Sequence, residues 1–342
     1  MKDSMKKYLI LFVLGWSFWT STTTVNAKEV VSSKPQGNVT FTILPEIPAD
    51  NIGGPYSGYF NLKLSPKKER KVRIKVLNPT KKALVVKTNV HDGLMSDQVI
   101  PSYQHQMTPN KLQPKPLSEQ IQVVKTIKLA AGERKWVTIT IKPSAKFVGQ
   151  KAAAIDLISE SHNAGAIKNR FVYTVAIIGQ GSQLTHYQKL DTTKIETKLV
   201  GKKSAIVVHL KNPDPLYLTK GRLKVSLVNK KWSFFKYSDT KKDVQIVPSV
   251  YFKDNLYLGK KRLVPGVYRL KLSFKSAEYQ VNRYRYVEIT KDQARYINAH
   301  NAAYLLHRNQ ILVIGTGMML IILMVVYYIW RKKRIKNDKN TI

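Results

Sequence analysis

Twenty consecutive residues without a charge, Ile311 to Trp330 (ILVIGTGMMLIILMVVYYIW), constrain this chain more than any other feature in it. A run of that length crosses the hydrocarbon core as a helix, the form in which a single segment satisfies all its own backbone groups. Tyr327, Tyr328 and Trp330 make an aromatic belt at one end, and Arg331, Lys332, Lys333 and Arg334 follow directly. That order is a stop-transfer signal with its basic residues on the cytoplasmic side. The rest of the chain must then fold outside the membrane. Residues 1–27 carry the matching export signal: Lys2, Lys6 and Lys7, an apolar stretch from Tyr8 to Trp19, and small residues ending at Ala27. An uncleaved N-terminal anchor is the alternative, but the apolar stretch is short for a span. The expected layout is single-pass in the cell membrane: an extracellular N-terminal part, a span at 311–330 and a cytoplasmic tail at 331–342.

An exported chain of 342 residues has room for about two domains. It has no cysteine, so neither domain is held by disulfides and each must rely on its core. This argues against an animal cell-surface receptor and for a bacterial envelope protein. The formal net charge is +37, and most of the excess lies between the signal and the span. Such a field draws anionic polymers. Export makes nucleic acid a poor partner, which leaves anionic wall polymers such as teichoic acids, and lipid headgroups. The lysines are spread along the chain, so a generally solvated basic surface is the plainer reading beside a shaped anion site.

Between Val39 and Ile289 the pattern is β: runs rich in Val, Ile, Thr and Tyr alternate with charge and are bounded by Gly, Pro and Asn. Arg70 to Leu77 alternates for eight positions and stops at Asn78-Pro79. Ala83 to Val90 follows. Ile121 to Leu129 and Lys135 to Ile141, joined by Ala131-Gly132-Glu133, read as a hairpin-like pair. Ala152 to Ser159 and Arg170 to Ile178 complete a first group. After a polar break at Gly179 to Gln188, a second group contains Ala205 to Leu210, Leu223 to Val228, Asp243 to Val247, Val267 to Phe274 and Arg283 to Ile289. The Asn-Pro stop recurs there at Asn212-Pro213. Short strands with one wet and one apolar face imply an all-β chain with two tandem Ig-like sandwiches. Thr290 and Gln293 form a capping box for a juxtamembrane helix, expected to run as a stalk into the one transmembrane helix.

Two segments are irregular. Phe41 to Leu64 (FTILPEIPADNIGGPYSGYFNLKL) sets two strand-like runs around three prolines and three glycines. Proline lacks a ladder donor and is confined to edges and turns, so Phe41 to Leu44 is expected as an edge strand that the prolines protect from recruiting another chain. Asp92 to Gln120 has four prolines and no strand pattern. Loops of this length inside a domain are commonly functional. Within it Tyr103, Gln104 and His105 could meet a saccharide, which offers C–H patches edged by hydroxyls. A flap over a sheet edge is the competing explanation.

No catalytic pattern stands out. The seven histidines make no H-E-x-x-H or ligand-spaced pair, and Gly179-Gln180-Gly181-Ser182 only approximates a nucleophile elbow. No metal site and no cofactor are expected, and the chain reads as a binding protein rather than an enzyme. A carboxylate pair of the glycosidase kind is not written in sequence spacing.

The order of motifs resembles the WxL-interacting proteins of low-GC Gram-positive bacteria, over nearly the whole chain. Phe41-Thr42-Ile43-Leu44-Pro45-Glu46-Ile47-Pro48 leading to Tyr59-Phe60-Asn61-Leu62 is similar to the family's opening. So are Val76-Leu77-Asn78-Pro79, Asn169 to Tyr173 opening the second domain, Val264 to Tyr268, and Val287 to Thr290 followed by Tyr296-Ile297-Asn298. One departure is Lys151-Ala152-Ala153-Ala154, where the family's strand usually carries Gly-Gly. The resemblance implies a peptidoglycan-binding first domain (28–165), a second domain for host ligands or partner proteins (166–290), and a helical stalk (291–310). Host extracellular-matrix ligands and WxL-domain surface proteins are the implied partners. No W-x-L occurs here, which fits the anchored partner rather than the wall-bound one. Two rival classes remain: a wall-active hydrolase, and an Ig-type chaperone for surface subunits.

Overall fold

The computed structural model describes residues 41–103, 112, 115–160, 170–182, 186 and 189–338. The signal segment 1–27 lies outside the described residues.

Eleven strands belong to the N-terminal part: β1 (Thr42–Glu46), β2 (Phe60–Lys63), β3 (Arg70–Leu77), β4 (Leu84–Asp92), β5 (Leu94–Met95), β6 (Pro101–Ser102), β7 (Ile121–Gln122), β8 (Thr126–Leu129), β9 (Arg134–Ile141), β10 (Gln150–Glu160) and β11 (Arg170–Gln180). One sheet has the order β1-β3-β9-β7, the other β2-β11-β10-β4-β8. The alternation seen in sequence explains the layering. Val72, Ile74 and Val76 of β3, and Val137, Ile139 and Ile141 of β9, turn inward to meet Phe60, Leu62, Ala153, Ile155 and Leu157 from the opposite sheet. Strand β1 is an edge strand, as expected, with Pro45 opposite Ile74. Because β2 pairs in parallel with β11, the loop between β1 and β2 must cross from one sheet to the other. Gly53, Gly54 and Gly58 turn it with φ of 96°, 86° and 72°, a region that side chains disfavour.

Strands β8 and β9 are not a hairpin. β8 pairs with β4 and β9 with β3, so the Ala131-Gly132-Glu133 turn passes between sheets. Both arms of the β10–β11 hairpin pair along eleven positions in the first sandwich. These two strands flank the 165/166 division read from the family resemblance, and backbone pairing with the first sandwich continues to Ser182.

The second sandwich is built from β12 (Asp191–Val200), β13 (Lys203–Asn212), β14 (Leu218–Asn229), β15 (Lys236–Ile246), β16 (Val250–Tyr257), β17 (Gly266–Lys275) and β18 (Gln280–Ile289). Its sheets run β12-β13-β16 and β15-β14-β17-β18. Val225, Leu227, Leu270, Leu272 and Phe274 face Ile206, Val208, Leu210 and Phe252 across the core. The Asn-Pro device has the same physical basis in both sandwiches. Asn78 is fully buried; its Nδ2 donates to the carbonyls of Lys82 and Ala130 at 2.8 Å, and its Oδ1 accepts from the Thr80 N–H at 3.0 Å. Asn212, also fully buried, donates to the Val247 carbonyl at 3.0 Å and accepts from the Asp214 N–H at 3.2 Å. Each asparagine ends a strand by clamping it to a neighbouring turn.

The juxtamembrane helix is two helices. α1 (Lys291–Ala299) opens on the expected capping box, with Thr290 Oγ1 accepting from Gln293 N–H and Gln293 Oε1 accepting from Thr290 N–H. It is not a free stalk: Ala294 and Ile297 are buried in the second core, and Asn298 both accepts from and donates to the Leu263 backbone at 2.8 Å. The helix breaks at His300. Asn301 then caps α2 (Ala302–Asp338), accepting from the Tyr304 N–H at 3.3 Å. α2 contains the apolar run and is long and apolar enough to cross a membrane.

Candidate functional site

The outer face of the β1-β3-β9 layer carries an indole that the core does not need. Trp136 lies on β9 opposite Lys75 and stays 41% exposed. The Arg73 guanidinium carbon sits 4.8 Å and the Lys75 Nζ 4.5 Å from its ring centroid, which fixes the ring between two cations. Arg73 is itself held by Glu46 through a bidentate pair, Nε to Oε2 at 2.6 Å and Nη2 to Oε1 at 2.7 Å. The hydrogen bond from Arg73 holds the Glu46 carboxyl below its ordinary range. Beside them Glu46, Pro48, Lys71, Val72, Arg73 and Thr138 line a cleft of about 260 Å³. An aromatic plate, fixed cations and a partly apolar cleft form a surface able to hold a sugar ring and its carboxylate substituents. Sequence reading passed over Trp136 as one more strand residue, although a tryptophan among polar neighbours on a wet face was the available signal.

Of the three residues singled out in the long loop, Gln104 and His105 lie outside the described residues. Tyr103 sits at the junction of the two sandwiches, half-buried, its hydroxyl 3.0 Å from that of Tyr217. Burial raises the pKa of both phenols. The segment before it is not irregular throughout. β5 and β6 pair, and Leu94, Met95 and Val99 are buried in the second sandwich's core cluster. Other contacts close the same junction. Gln150 N–H donates to the Pro215 carbonyl at 2.6 Å, and Tyr217 N–H donates to Gln150 Oε1 at 2.8 Å. Gly149, at φ 65°, lies so close that a Cβ there would stand 2.5 Å from Pro215 Cβ.

Among the described residues of the first sandwich, Lys151 and Asp156 are the buried charged ones. At the departure from the family pattern, Lys151 is only 7% exposed and its Nζ donates to the Lys115 carbonyl at 2.6 Å. Burial lowers its pKa and raises that of nearby Asp92. His91, Asp156 and Thr174 stand on adjacent strands, with His91 Nε2 3.1 Å from Asp156 Oδ2 and Thr174 Oγ1 donating to Asp156 Oδ1 at 2.7 Å. Burial opposes a charge on His91, but Asp156 outweighs it and the pKa is raised. The trio lacks the logic of a nucleophilic triad. There the imidazole bridges hydroxyl and carboxylate, whereas here imidazole and hydroxyl both end on the same carboxylate. Among the described residues no group of three His, Asp or Glu side chains could hold a metal ion.

The second sandwich exposes a different surface. On the outer face of its four-stranded sheet, Tyr284 and Tyr286 are 53% and 65% exposed. Arg269 and Lys271 flank Tyr284 at 5.9 and 5.8 Å. This pairing of phenols with cations suits an acidic partner.

Comparison with known proteins identifies the family. A family model described as WxL Interacting Protein, peptidoglycan binding domain, matches residues 41–159. A second, the host binding domain of the same family, matches residues 162–299. Together they cover well over half of the chain. No curated protein matches. Among solved structures, a chaperone–tip adhesin complex of CFA/I fimbriae shares 11% identity at a TM-score of 0.33, covering 72% of this chain and 98% of its own. The chaperone YadV shares 9% at 0.30, covering 73% and 100%, and the E. coli chaperone DraB 13% at 0.29, covering 73% and 98%. TM-scores this low carry no argument about this chain.

Proposed function

The chain belongs to the WxL Interacting Protein family, with its peptidoglycan-binding and host-binding domains in tandem, and from that premise we propose that it is a non-enzymatic surface scaffold anchored by α2. The first sandwich holds the wall through the Trp136 face, and the second presents the Tyr284 and Tyr286 face to host extracellular-matrix ligands or to WxL-domain proteins. The N-terminal part faces outward and the basic residues after Trp330 face the cytoplasm.

The observation that carries the wall assignment is Trp136 itself, an exposed indole clamped by Arg73 and Lys75 in the domain matched as peptidoglycan-binding. Burying an indole against solvent-exposed cations gains little for folding, while a pre-oriented ring lowers the entropic cost of binding a sugar. Glu46 is the one carboxylate lining this cleft and its pKa is lowered, whereas a glycosidase acid has a raised pKa and a second carboxylate beside it.

The test is sedimentation of the detergent-solubilised full chain with sacculi stripped of teichoic acid, across a salt series. Trp136→Ala should weaken binding about tenfold at every salt concentration, the loss of roughly one aromatic contact. Tyr103→Ala provides the comparison for the loop. Binding that vanishes with salt and ignores Trp136 would leave only screened charge and overturn the assignment. Release of soluble sugar fragments would restore the hydrolase.

A further inference from the structure

The two ends of the second sandwich differ. One end, with Pro215 and Tyr217, meets the first sandwich. The other gathers three turns beside α1: Gly201-Lys202-Lys203, Lys230 to Lys236 (KKWSFFK), and Gly259-Lys260-Lys261-Arg262. These turns contain no carboxylate, and the acidic residues nearest in sequence to α1, Glu288 and Asp292, flank its cap. Hydrogen bonds place them together. Ser204 Oγ donates to the Ile297 carbonyl of α1 at 3.2 Å, and Tyr237 Oη donates to the Arg262 carbonyl at 2.6 Å. The Lys261 carbonyl accepts from Asn301, the cap of α2, at 3.4 Å.

The middle turn is rigid and apolar at its tip. Asn229, buried, accepts from the N–H groups of Lys231 and Trp232 at 3.0 and 2.9 Å, and Phe235 N–H closes on the Trp232 carbonyl at 3.0 Å. This holds Trp232 at 50% and Phe234 at 71% exposed, side by side with ring centroids 6.0 Å apart. A solvated turn has no reason to display two large aromatics among lysines. Aromatic rings flanked by lysines are the composition of the bilayer interface.

The distance fits. Nine residues, Ala302 to Gln310, separate the cap from the apolar run, about 14 Å of helix. The headgroup zone occupies roughly 5–8 Å of that, and the remainder is within reach of extended side chains and an ordinary helix tilt. We propose that this end of the second sandwich rests on the chain's own membrane, with Trp232 and Phe234 in the interface and the lysines of the three turns on anionic lipid headgroups. The proposal rests on α2 spanning the membrane.

The absence of cysteine makes the test direct. Full-length chains carrying Ser233→Cys, Ser273→Cys or Met318→Cys are labelled with an environment-sensitive dye and reconstituted in vesicles, neutral or containing phosphatidylglycerol, with brominated-lipid and iodide quenchers. The 233 label should be quenched by lipid and shielded from iodide in anionic vesicles, while the 273 label on the outer sheet face stays in water. Each of Lys230→Ser, Lys231→Ser and Lys261→Ser should shift the 233 label toward water about fivefold. A 318 label open to iodide would remove the spanning helix and the proposal with it. A lipid-protected 318 beside a water-exposed 233 would overturn the proposal alone. So would a 233 label that answers only to added soluble polyphosphate, which would make the turns a polymer site.

Discussion

The two sandwiches solve one folding problem with different materials. Both end a long strand on a buried asparagine before proline, yet Asn78 ties two carbonyls while Asn212 ties one. The first buries Lys151 and Asp156, with His91 partly buried against Asp156; the second sets Lys241 against buried Asp254. Both sandwiches are packed around apolar clusters, and they differ in which polar groups are buried beside them. Outside, the first shows Trp136 between Arg73 and Lys75, and the second shows Tyr284 beside Arg269 and Lys271 with Tyr286 nearby.

The comparison breaks most severely at β11. Fragment 41–165, which ends inside the β10–β11 hairpin, loses Val175 and Ile177 from the first core and should be unfolded by circular dichroism, whereas 41–182 should fold. If 41–165 folds cooperatively, β11 belongs to the second domain after all. Next come the asparagine clamps. Asn78→Ala should lower the stability of the first sandwich by about 3 kcal/mol and Asn212→Ala that of the second by about 1.5 kcal/mol, because the former strands more buried partners. Urea titrations of the two variants read the difference directly, and equal losses would dissolve the contrast.

The smallest expected effect is a difference in pH response. His91 has a raised pKa in the folded chain, so its contribution is full below the unfolded value near 6.5 and is lost as pH rises through the folded value. Half-buried Asp92, also raised by burial, acts with the same sign at lower pH. Glu196 of the second sandwich has its pKa held down by hydrogen bonds from Lys194, Lys198 and His209, so its contribution is full above about 4.5 and is lost on acidification. Calorimetry between pH 2 and 8 should show the first transition falling on the alkaline side and the second on the acid side. His91→Gln and Glu196→Gln should each flatten only their own slope.

Local chemistry was readable in the chain; partnership was not. The Asn-Pro stops, the edge strand with Pro45 and the Thr290 capping box are short-range devices, and each is present. The turn at 131–133 reads like a hairpin turn, but which sheet each flanking strand joins depends on β3 and β4, far away in sequence. Strands β12 and β16 escaped notice because charge interrupts their alternation, as in Asp254 and Lys194. The break before α2 has neither proline nor glycine, and Asn301 as a cap was the signal to read. For Tyr103, a candidate saccharide contact in the sequence, nothing local records that Tyr217, 114 positions away, meets its hydroxyl.

The direction of β18 carries a mechanical consequence. The chain leaves this strand at Ile289 for α1 and α2, the helix long and apolar enough to cross a membrane, while the opposite end of the same sandwich is fastened to the first through Pro215 and Gln150. Tension between wall and membrane would run lengthwise along β18, against ten positions of pairing with β17. Loaded in that direction, the hydrogen bonds share the force and must yield together, where a pull across the strand would open them one at a time. A growing cell that strains its wall against its membrane would be pulling this tether along its strong axis.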